Sequence, residues 1–228
     1  MSLSVKKIKV AARDSALSKA QVEEVLVELR QYHPHIEFSF HWIKTTGDLD
    51  QISSLLNKEK TDFFTKEVDE AILSGECQIA IHSAKDLPDP LHPNLTVLAY
   101  TKGLDPSDVL VFRKGESLDS LPSFSKVGTS SLRRIENLLS LREDLFPVDI
   151  RGTIDKRLAL LDEGKVDALI MAKAALIRLK IDRDMQILPG ASAPMQGRLA
   201  IVAKKENLEM EKTFKVFFEV RKDVFFMR

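Results

Sequence analysis

The sequence has little cysteine, no net charge and no long apolar run. Its 228 residues include one cysteine, Cys77, so an intramolecular disulfide cannot form and the Cys/His spacing of a zinc site is absent. Lys plus Arg and Asp plus Glu both number 34, and a chain without net charge lacks the field that attracts nucleic acid or a membrane surface. No stretch approaches the ~20 apolar residues of a membrane helix, and residues 1–10 lack the apolar run of a signal peptide. We therefore expect a cytoplasmic protein that binds no metal, nucleic acid or membrane.

Apolar patterns along the first hundred residues predict an α/β fold. Hydrophobic residues make up 44% of the chain, which is enough for a core. Alternation predicts strands over Ile8–Ala12 and Ile36–Trp42, and an apolar stripe at helical spacing runs from Val22 to Leu29. The run Ile79–Ile81 is typical of a strand buried on both faces, whereas residues 44–60 are polar and predict a long loop. Alternating strands and helices predict parallel sheets covered by helices.

The second half of the chain repeats this alternation after a proline-rich stretch. Leu132, Ile135, Leu138 and Leu139 are predicted to form the apolar face of one helix. The predicted strands are Val109–Phe112, Lys126–Gly128, Pro147–Ile150, Ala168–Ala172 and Leu199–Ala203, and the helices are Ser130–Leu141, Ile154–Glu163 and a short one ending at Leu179.

Two domains joined by two crossings are the simplest organisation of these elements. We expect residues 1–99 and 194–228 to form a discontinuous first domain and residues 100–193 to form a second. Such an arrangement predicts a cleft between the domains, which is a common place for a ligand.

Cationic side chains follow several of the predicted strands. In parallel sheets the carboxyl ends of the strands meet at one edge, where ligands bind. Guanidinium groups bind carboxylates in a fork geometry, and the hydroxyls and amides of residues 129–131 could add donors at a helix N-terminus. Asp86 is the one acidic residue among these cationic side chains, and it could stabilise a cation or carry a proton. The pattern predicts a ligand with several carboxylates, held by Arg13, Lys85, Arg133, Arg134, Arg151 and Arg157.

Each of these signals also has a plainer interpretation. Arg133 and Arg134 could belong to a solvated helix face, and Arg157 could pair with Asp155 or Glu163 on the surface. Thr129 or Ser130 could serve only as a helix cap, and Lys85 with Asp86 could form a surface pair. Their shared position after strands favours the binding interpretation.

Seven segments of the chain carry specific motifs, namely Arg13–Leu17 with Gln21, Lys44–Asp48, Phe64–Glu67, Ile79–Pro88, Val127–Arg134, Arg151–Gly152 with Arg157, and Pro194–Gly197. Together these motifs resemble the porphobilinogen deaminase family, and the resemblance runs from about residue 5 to about residue 203. The serine–lysine–aspartate and glycine–threonine–serine–arginine blocks are highly specific to that family.

The resemblance implies a fold, an activity and a set of site residues. The implied fold is α/β with the two-lobed, type II periplasmic-binding-protein-like architecture. The family condenses four porphobilinogen units head to tail, with loss of ammonia, into hydroxymethylbilane for haem biosynthesis. Asp86 would be the catalytic residue. The implied cofactor-binding residues are Ser83, Lys85, Asp86, Thr129, Ser131, Arg133 and Arg134, and the implied substrate-binding residues are Arg13, Ser15, Gln21, Arg151, Gly152, Arg157 and Gln196.

The chain ends where the family's third domain would begin, so that domain and its cofactor-anchoring cysteine are expected to be absent. Cys77 does not replace that cysteine, because six extended residues place it ~20 Å from the strand end near Ser83. We expect Cys77 to be a small buried apolar residue. The family's dipyrromethane cofactor would then be held without a covalent bond or be missing.

Three hypotheses for the function follow. The chain could be a working deaminase, a binding module for carboxylated pyrroles without turnover, or a subunit completed by another chain. The phenylalanine-rich tail, residues 214–226, could dock a protein partner or could complete the core of the first domain. The expected small-molecule partner is porphobilinogen, and the expected oligomeric state is a monomer.

Overall fold

The computed structural model describes residues 6–50, 56 and 62–214. These residues form two compact units. The first unit contains residues 6–49, 62–103 and 198–214, and the second contains residues 104–197 with Asp50 and Leu56.

The first unit is a five-stranded sheet with helices against it, in the strand order β2-β1-β3-β10-β4. Strands β1, β2 and β3 run parallel, whereas β10 is antiparallel to both of its neighbours. The strands are β1 (Lys6–Arg13), β2 (Ile36–Ile43), β3 (Ile79–Ser83), β4 (Leu95–Tyr100) and β10 (Leu199–Lys204), and the helices are α1 (Ala16–Tyr32), α2 (Thr46–Leu49) and α3 (Lys66–Leu73).

Helix α1 packs its predicted apolar stripe into the core of this unit. Val22, Val25, Leu26 and Leu29 are buried together with the apolar residues of β1, β3 and β10. The same core contains Phe214, which is fully buried in residues 208–214, a helical segment. Phe214 therefore completes the core, as one of the two interpretations of the tail expects, while residues 215–226 lie outside the described residues.

The second unit is also a five-stranded sheet, in the order β7-β6-β8-β5-β9. Apolar clusters cover both faces of the sheet, one around Phe112 and Leu138 and the other around Leu161 and Leu176. The strands are β5 (Asp108–Val111), β6 (Lys126–Gly128), β7 (Phe146–Val148), β8 (Ala168–Ala172) and β9 (Met185–Ile187), and the helices are α4 (Leu132–Leu141), α5 (Ile154–Asp162) and α6 (Lys173–Leu179).

The expectation of parallel sheets is wrong for part of each unit. Strand β10 runs antiparallel between β3 and β4, and β5 is antiparallel to β8 and β9. The apolar pattern of a strand shows which faces are buried, but it carries no information about direction. The sheets are mixed, as is common when a parallel sheet receives an added strand.

Two local predictions are also corrected. The segment 44–60, predicted to be a loop, contains the short helix α2, which begins after Thr45 because the Asp48 carboxylate accepts hydrogen bonds from the backbone N–H and hydroxyl of Thr45. Of this segment, residues 51–55 and 57–60 lie outside the described residues. In α4 the predicted apolar face is only partly buried, since Leu132 and Leu139 are exposed while Leu138 is fully buried.

Among the described residues, no helix is both long and apolar enough to cross a membrane.

Cys77 is buried just before β3, as expected, and burial raises the pKa of its thiol. The cleft expected between the two domains stays a prediction.

Candidate functional site

In the first unit, three of the predicted site residues are grouped at the carboxyl ends of neighbouring parallel strands. Arg13 ends β1 and Ser83 ends β3, and these two strands pair directly. The Gln21 amide donates a hydrogen bond of 2.9 Å to the Ser83 hydroxyl. Ser15 has a local role, because its hydroxyl caps α1 by accepting from the backbone N–H of Ser18 at 3.2 Å.

Asp86 lies in a short 3-10 turn directly after β3, formed by Ala84–Asp86. The turn stays short, because the proline-rich residues that come after Leu87 cannot continue a helix. Its carboxylate is exposed and forms no ion pair or hydrogen bond with the residues that the structure describes. The interpretation of Lys85 and Asp86 as a surface ion pair is therefore wrong, and the Asp86 carboxylate is accessible to a ligand.

Arg13 is held in place by two neighbours. Its Nη2 and Nε donate to the Asp48 carboxylate at 2.5 and 3.3 Å, which leaves Nη1 to face a ligand, and its carbon Cζ lies 4.5 Å above the centre of the Phe64 ring. Burial would raise the pKa of Asp48, but hydrogen bonds from Arg13 and Thr45 outweigh it and hold this pKa below its ordinary value. A cation between a carboxylate and an aromatic face has little freedom to change its rotamer.

In the second unit, a polar loop follows β6 at residues 129–131. Gly128 has to be a glycine there, because a Cβ atom would lie 2.8 Å from side-chain atoms of Ile150 and Leu169. The backbone N–H of Thr129 donates to the carbonyl of Val148 at 2.9 Å, and the Ser130 hydroxyl donates to the carbonyl of Ile150. These two bonds join the loop after β6 to the loop that leads to Arg151.

The hydroxyl of Thr129 is the anomaly in this loop. The residue is 0% exposed, and its Oγ1 atom finds no hydrogen-bond partner among the described residues. A helix cap would be a partner, but Ser131 occupies the N-cap position of α4, and no side chain caps this helix. The interpretation of Thr129 or Ser130 as a simple cap is therefore wrong. A buried polar atom without a partner is costly, so the Thr129 hydroxyl calls for a partner that the described residues do not supply, such as a bound ligand.

Arg157 is a partly buried cation with other cations nearby. Its Nε donates to the carbonyl of Gly152 at 3.0 Å, and Gly152 adopts a φ of +103° that favours glycine. Burial, followed by repulsion from Arg134 and Arg151, lowers the pKa of Arg157 to about 10, while Asp149 acts in the opposite direction. Arg157 forms no ion pair with Asp155 or Glu163, so the surface-pair interpretation is wrong. This set of guanidinium groups favours a bound anion.

Two of the predicted ligand-binding arginines share one buried carboxylate that the sequence analysis missed. Asp108 begins β5, and its side chain lies 2.6 Å from Arg134 and 2.7 Å from Arg133. The Gln196 amide donates to the same carboxylate at 2.9 Å and to the carbonyl of Pro106 at 2.7 Å. Arg134 is buried, so the solvated-face interpretation is wrong for it. A charged residue opening an apolar strand, as Asp108 does, is the sequence signal that could have found it.

The predicted site residues therefore fall into two groups, one in each unit. The first unit holds Arg13, Ser15, Gln21, Ser83, Lys85 and Asp86, and the second holds Thr129, Ser131, Arg133, Arg134, Arg151, Gly152, Arg157 and Gln196. In both groups several of these residues follow a strand end, whereas Gln21 and Arg157 lie within helices and Gln196 precedes β10. Among the described residues, no group of three His, Cys, Asp or Glu side chains could hold a metal ion.

A family model described as porphobilinogen deaminase, dipyromethane cofactor binding domain, matches residues 8–212. The chain belongs to the porphobilinogen deaminase family. It is 42% identical over 208 residues to a probable porphobilinogen deaminase of Chlamydia muridarum, a match that covers 91% of this chain and 85% of that protein. It is 38% identical over 207 residues to a porphobilinogen deaminase of Caldicellulosiruptor saccharolyticus, covering 89% of this chain and 71% of the relative.

Solved structures of distant proteins share the fold of this deaminase family member. A probable amino-acid transporter extracellular-binding protein from Bacillus subtilis superposes with a TM-score of 0.55 at 11% identity, covering 96% of this chain and 93% of that one. A periplasmic binding protein of an arginine transport system from Legionella pneumophila superposes with a TM-score of 0.51 at 15% identity, covering 98% and 97%. These likenesses show the fold alone, and they confirm the predicted α/β, type II periplasmic-binding-protein-like class.

Proposed function

We propose that the chain is a hydroxymethylbilane synthase, which condenses porphobilinogen units head to tail. In each condensation the bond from the aminomethyl carbon to nitrogen breaks and that carbon bonds to a ring carbon of the next pyrrole, whose proton is lost and ends on the amine that leaves as ammonia. The observation that carries the proposal is the Thr129 loop, where a buried hydroxyl without a partner lies in the same unit as the Arg157 guanidinium and its cationic neighbours. This arrangement suits carboxylates, and every porphobilinogen carries two of them.

The positive groups within each unit could bind carboxylates of this kind. Guanidinium groups bind carboxylates through paired, charge-assisted hydrogen bonds. Arg13 is held by Asp48 and Phe64, so its orientation does not have to be found anew when a ligand arrives. We assign substrate binding to Arg13, Arg151 and Arg157, support of Arg157 to Gly152, and support of Ser83 to Gln21.

The residues present also fit the dipyrromethane cofactor of the family. The orphaned Thr129 hydroxyl and the exposed side of Arg133 offer donors for acetate and propionate groups, which the cofactor and porphobilinogen both carry, and Ser83, Lys85 and Ser131 add further donors. When bound, a dipyrromethane supplies the primer to which pyrrole units are added. No covalent anchor is assigned to Cys77, which is buried before β3.

We assign the catalytic role to Asp86. Its exposed carboxylate has no competing partner among the described residues, so it can accept hydrogen bonds from pyrrole N–H groups and stabilise positive charge on them. A carboxylate engaged in a salt bridge would be less able to do so. Asp86 would thus act on the reacting ring, while the arginines hold the carboxylates at its periphery.

The test is porphobilinogen consumption by the purified chain, with product read as porphyrin absorbance after acid oxidation. Asp86→Asn should abolish turnover and leave porphobilinogen binding, measured by calorimetry, within a few-fold of the original. Asp89→Asn is the matched control, since Asp89 is another exposed carboxylate of the same loop, and it should leave both values unchanged. Binding without consumption by the unaltered chain would instead identify a binding module, and absence of binding would remove both functions.

A further inference from the structure

We propose that Asp108 is a positioning residue, which sets the orientation of Arg133 toward ligand carboxylates by anchoring it to Arg134 and Gln196. The inference rests on the proposed function and adds a residue to it. The position of Asp108 is a consequence of the mixed strand directions in the second sheet. Because β5 is antiparallel to β8, the first residue of β5 pairs with Ala172 at the last residue of β8, and Asp108 reaches the edge where the parallel strands end.

Each carboxylate oxygen of Asp108 lies close to one of the two arginines. Oδ1 accepts from Nε and Nη2 of Arg134 at 3.0 and 2.6 Å and from the Gln196 amide at 2.9 Å. Oδ2 forms an ion pair with Nη1 of Arg133 at 2.7 Å, without the geometry of a hydrogen bond, so this oxygen holds Arg133 by charge. Burial would raise the pKa of Asp108, but the hydrogen bonds and charge of Arg134 outweigh it and keep this pKa below its ordinary value. The carboxylate is therefore charged at neutral pH.

The two arginines on this carboxylate differ in what they can still do. Arg134 turns two of its nitrogens to Asp108 and the third to the carbonyl of Ile170 at 3.4 Å, and 11% of its side chain is exposed. Arg133 makes both of its contacts, to Asp108 and to the carbonyl of Ala191, through Nη1 alone, and 27% of its side chain is exposed. Nε and Nη2 of Arg133 thus remain as donors for a ligand, while Arg134 is committed to the protein.

This division of roles changes the assignment that the family resemblance implies, in which both arginines bind the cofactor. Arg134 would hold the Asp108 carboxylate in place, and Arg133 would bind the ligand. The cluster of one carboxylate and two guanidinium groups keeps one net positive charge, and it is Arg133 that faces outward.

A double-mutant cycle on Asp108 and Arg133 tests the inference. Arg133→Gln should raise the KM for porphobilinogen by about tenfold or more, since a charge-assisted contact is lost. Asp108→Asn should raise KM by a similar factor with little change in kcat. If Asp108 acts through Arg133, the double variant is no worse than Arg133→Gln alone. If the factors multiply, or if Asp108→Asn leaves KM unchanged, the positioning role is refuted. Asp105→Asn removes a partly buried carboxylate of the same unit that pairs with Lys173, away from the two arginines, and should leave KM unchanged.

A second variant covers the case in which Asp108→Asn does not fold, because it leaves the buried Arg134 unpaired. Asp108→Asn combined with Arg134→Met removes the charge of both partners and still leaves Arg133 without its anchor. This variant should fold and show the same rise in KM. A normal KM would overturn the proposal.

A readout without turnover separates this inference from the proposed function. In the unaltered chain the Arg133 Nε–H should give a sharp ¹⁵N NMR signal with restricted motion, and in the Asp108→Asn, Arg134→Met variant that signal should show rapid side-chain motion. A mobile Arg133 in the unaltered chain would refute the positioning role, whether or not porphobilinogen is consumed. Failure of the unaltered chain to bind or consume porphobilinogen would refute the proposed function and leave the NMR result to decide on Asp108.

Discussion

Replacing Thr129 by valine should make the protein more stable and its ligand binding weaker. The Thr129 hydroxyl is fully buried without a partner among the described residues, and such a group costs about 1–3 kcal/mol. Valine has nearly the same shape and carries no polar atom, so the ligand-free protein should gain about 1 kcal/mol of unfolding free energy. For a chain of this size that corresponds to a rise in Tm of about 2–4 °C.

Binding should change in the opposite direction. A hydroxyl that donates to a carboxylate contributes about 1.5–3 kcal/mol, so Thr129→Val should raise the KM for porphobilinogen by about tenfold or more. The assay is a pair of thermal melts, with and without porphobilinogen, alongside a KM measurement. The stabilising effect of porphobilinogen on Tm should shrink in the variant, since ligand stabilisation follows affinity.

Thr101→Val is the matched control. Thr101 is equally inaccessible at 3% exposed, but its hydroxyl accepts a 2.9 Å hydrogen bond from the backbone N–H of Leu199. Its replacement leaves that N–H without a partner and should destabilise the chain by about 1–3 kcal/mol. If Thr129→Val also lowers Tm, or leaves KM unchanged, then Thr129 has a structural partner and the argument for a ligand site at this loop is wrong.

Two further predictions concern stability. The pKa of Asp105 is lowered to about 2, mainly by a hydrogen bond from Lys173 and then by those from Ser107. The contribution of this carboxylate to the free energy of unfolding is therefore present above pH ~4 and is lost as the pH falls toward 2. Asp105→Asn should therefore lower the free energy of unfolding by about 1 kcal/mol at pH 6, after allowance for solvent screening. The difference between the variant and the unaltered chain, measured in urea melts, should vanish near pH 2. A difference that stays constant with pH would contradict this prediction. Gly47→Ala should cost about 1–3 kcal/mol, because its Cβ would lie 2.2 Å from the Phe64 ring, and adding Phe64→Leu should recover part of the loss in the same melts. No recovery would mean that the backbone carbonyl of Phe63, 2.9 Å from that Cβ, is the real obstacle.

Most helices and strands could be predicted because their apolar periodicity reflects burial. The stripe of α1 and the apolar run of β3 are buried as expected, since nothing competes with the apolar pattern there. Strand β9 was missed, because Met185–Ile187 is short and lies at a sheet edge with two exposed residues. The directions of β5 and β10 could not be predicted, because direction depends on pairing between distant segments.

In the candidate site, too, some residues can be found from a local sequence pattern, while others depend on contacts between distant segments. The arginines were found because they follow strands, which is a local pattern. Their ionic partners were missed, because the sequence separation between Arg134 and Asp108, or between Arg13 and Asp48, hides the contact. The predicted apolar face of α4 was partly wrong for this reason. Arg134 takes an interior position on that helix because Asp108 neutralises it, and Leu132 and Leu139 remain exposed.

The position of β10 has a consequence for the order of events during synthesis. Leu199–Lys204 lies between β3 and β4 in the first sheet, and β4 has β10 as its only neighbour among the described strands. When β4 leaves the ribosome its partner has not yet been made, and residues 104–197 of the second unit emerge in between. We expect the second unit to fold as a domain first, while β4 waits as an unpaired edge that a chaperone would need to protect.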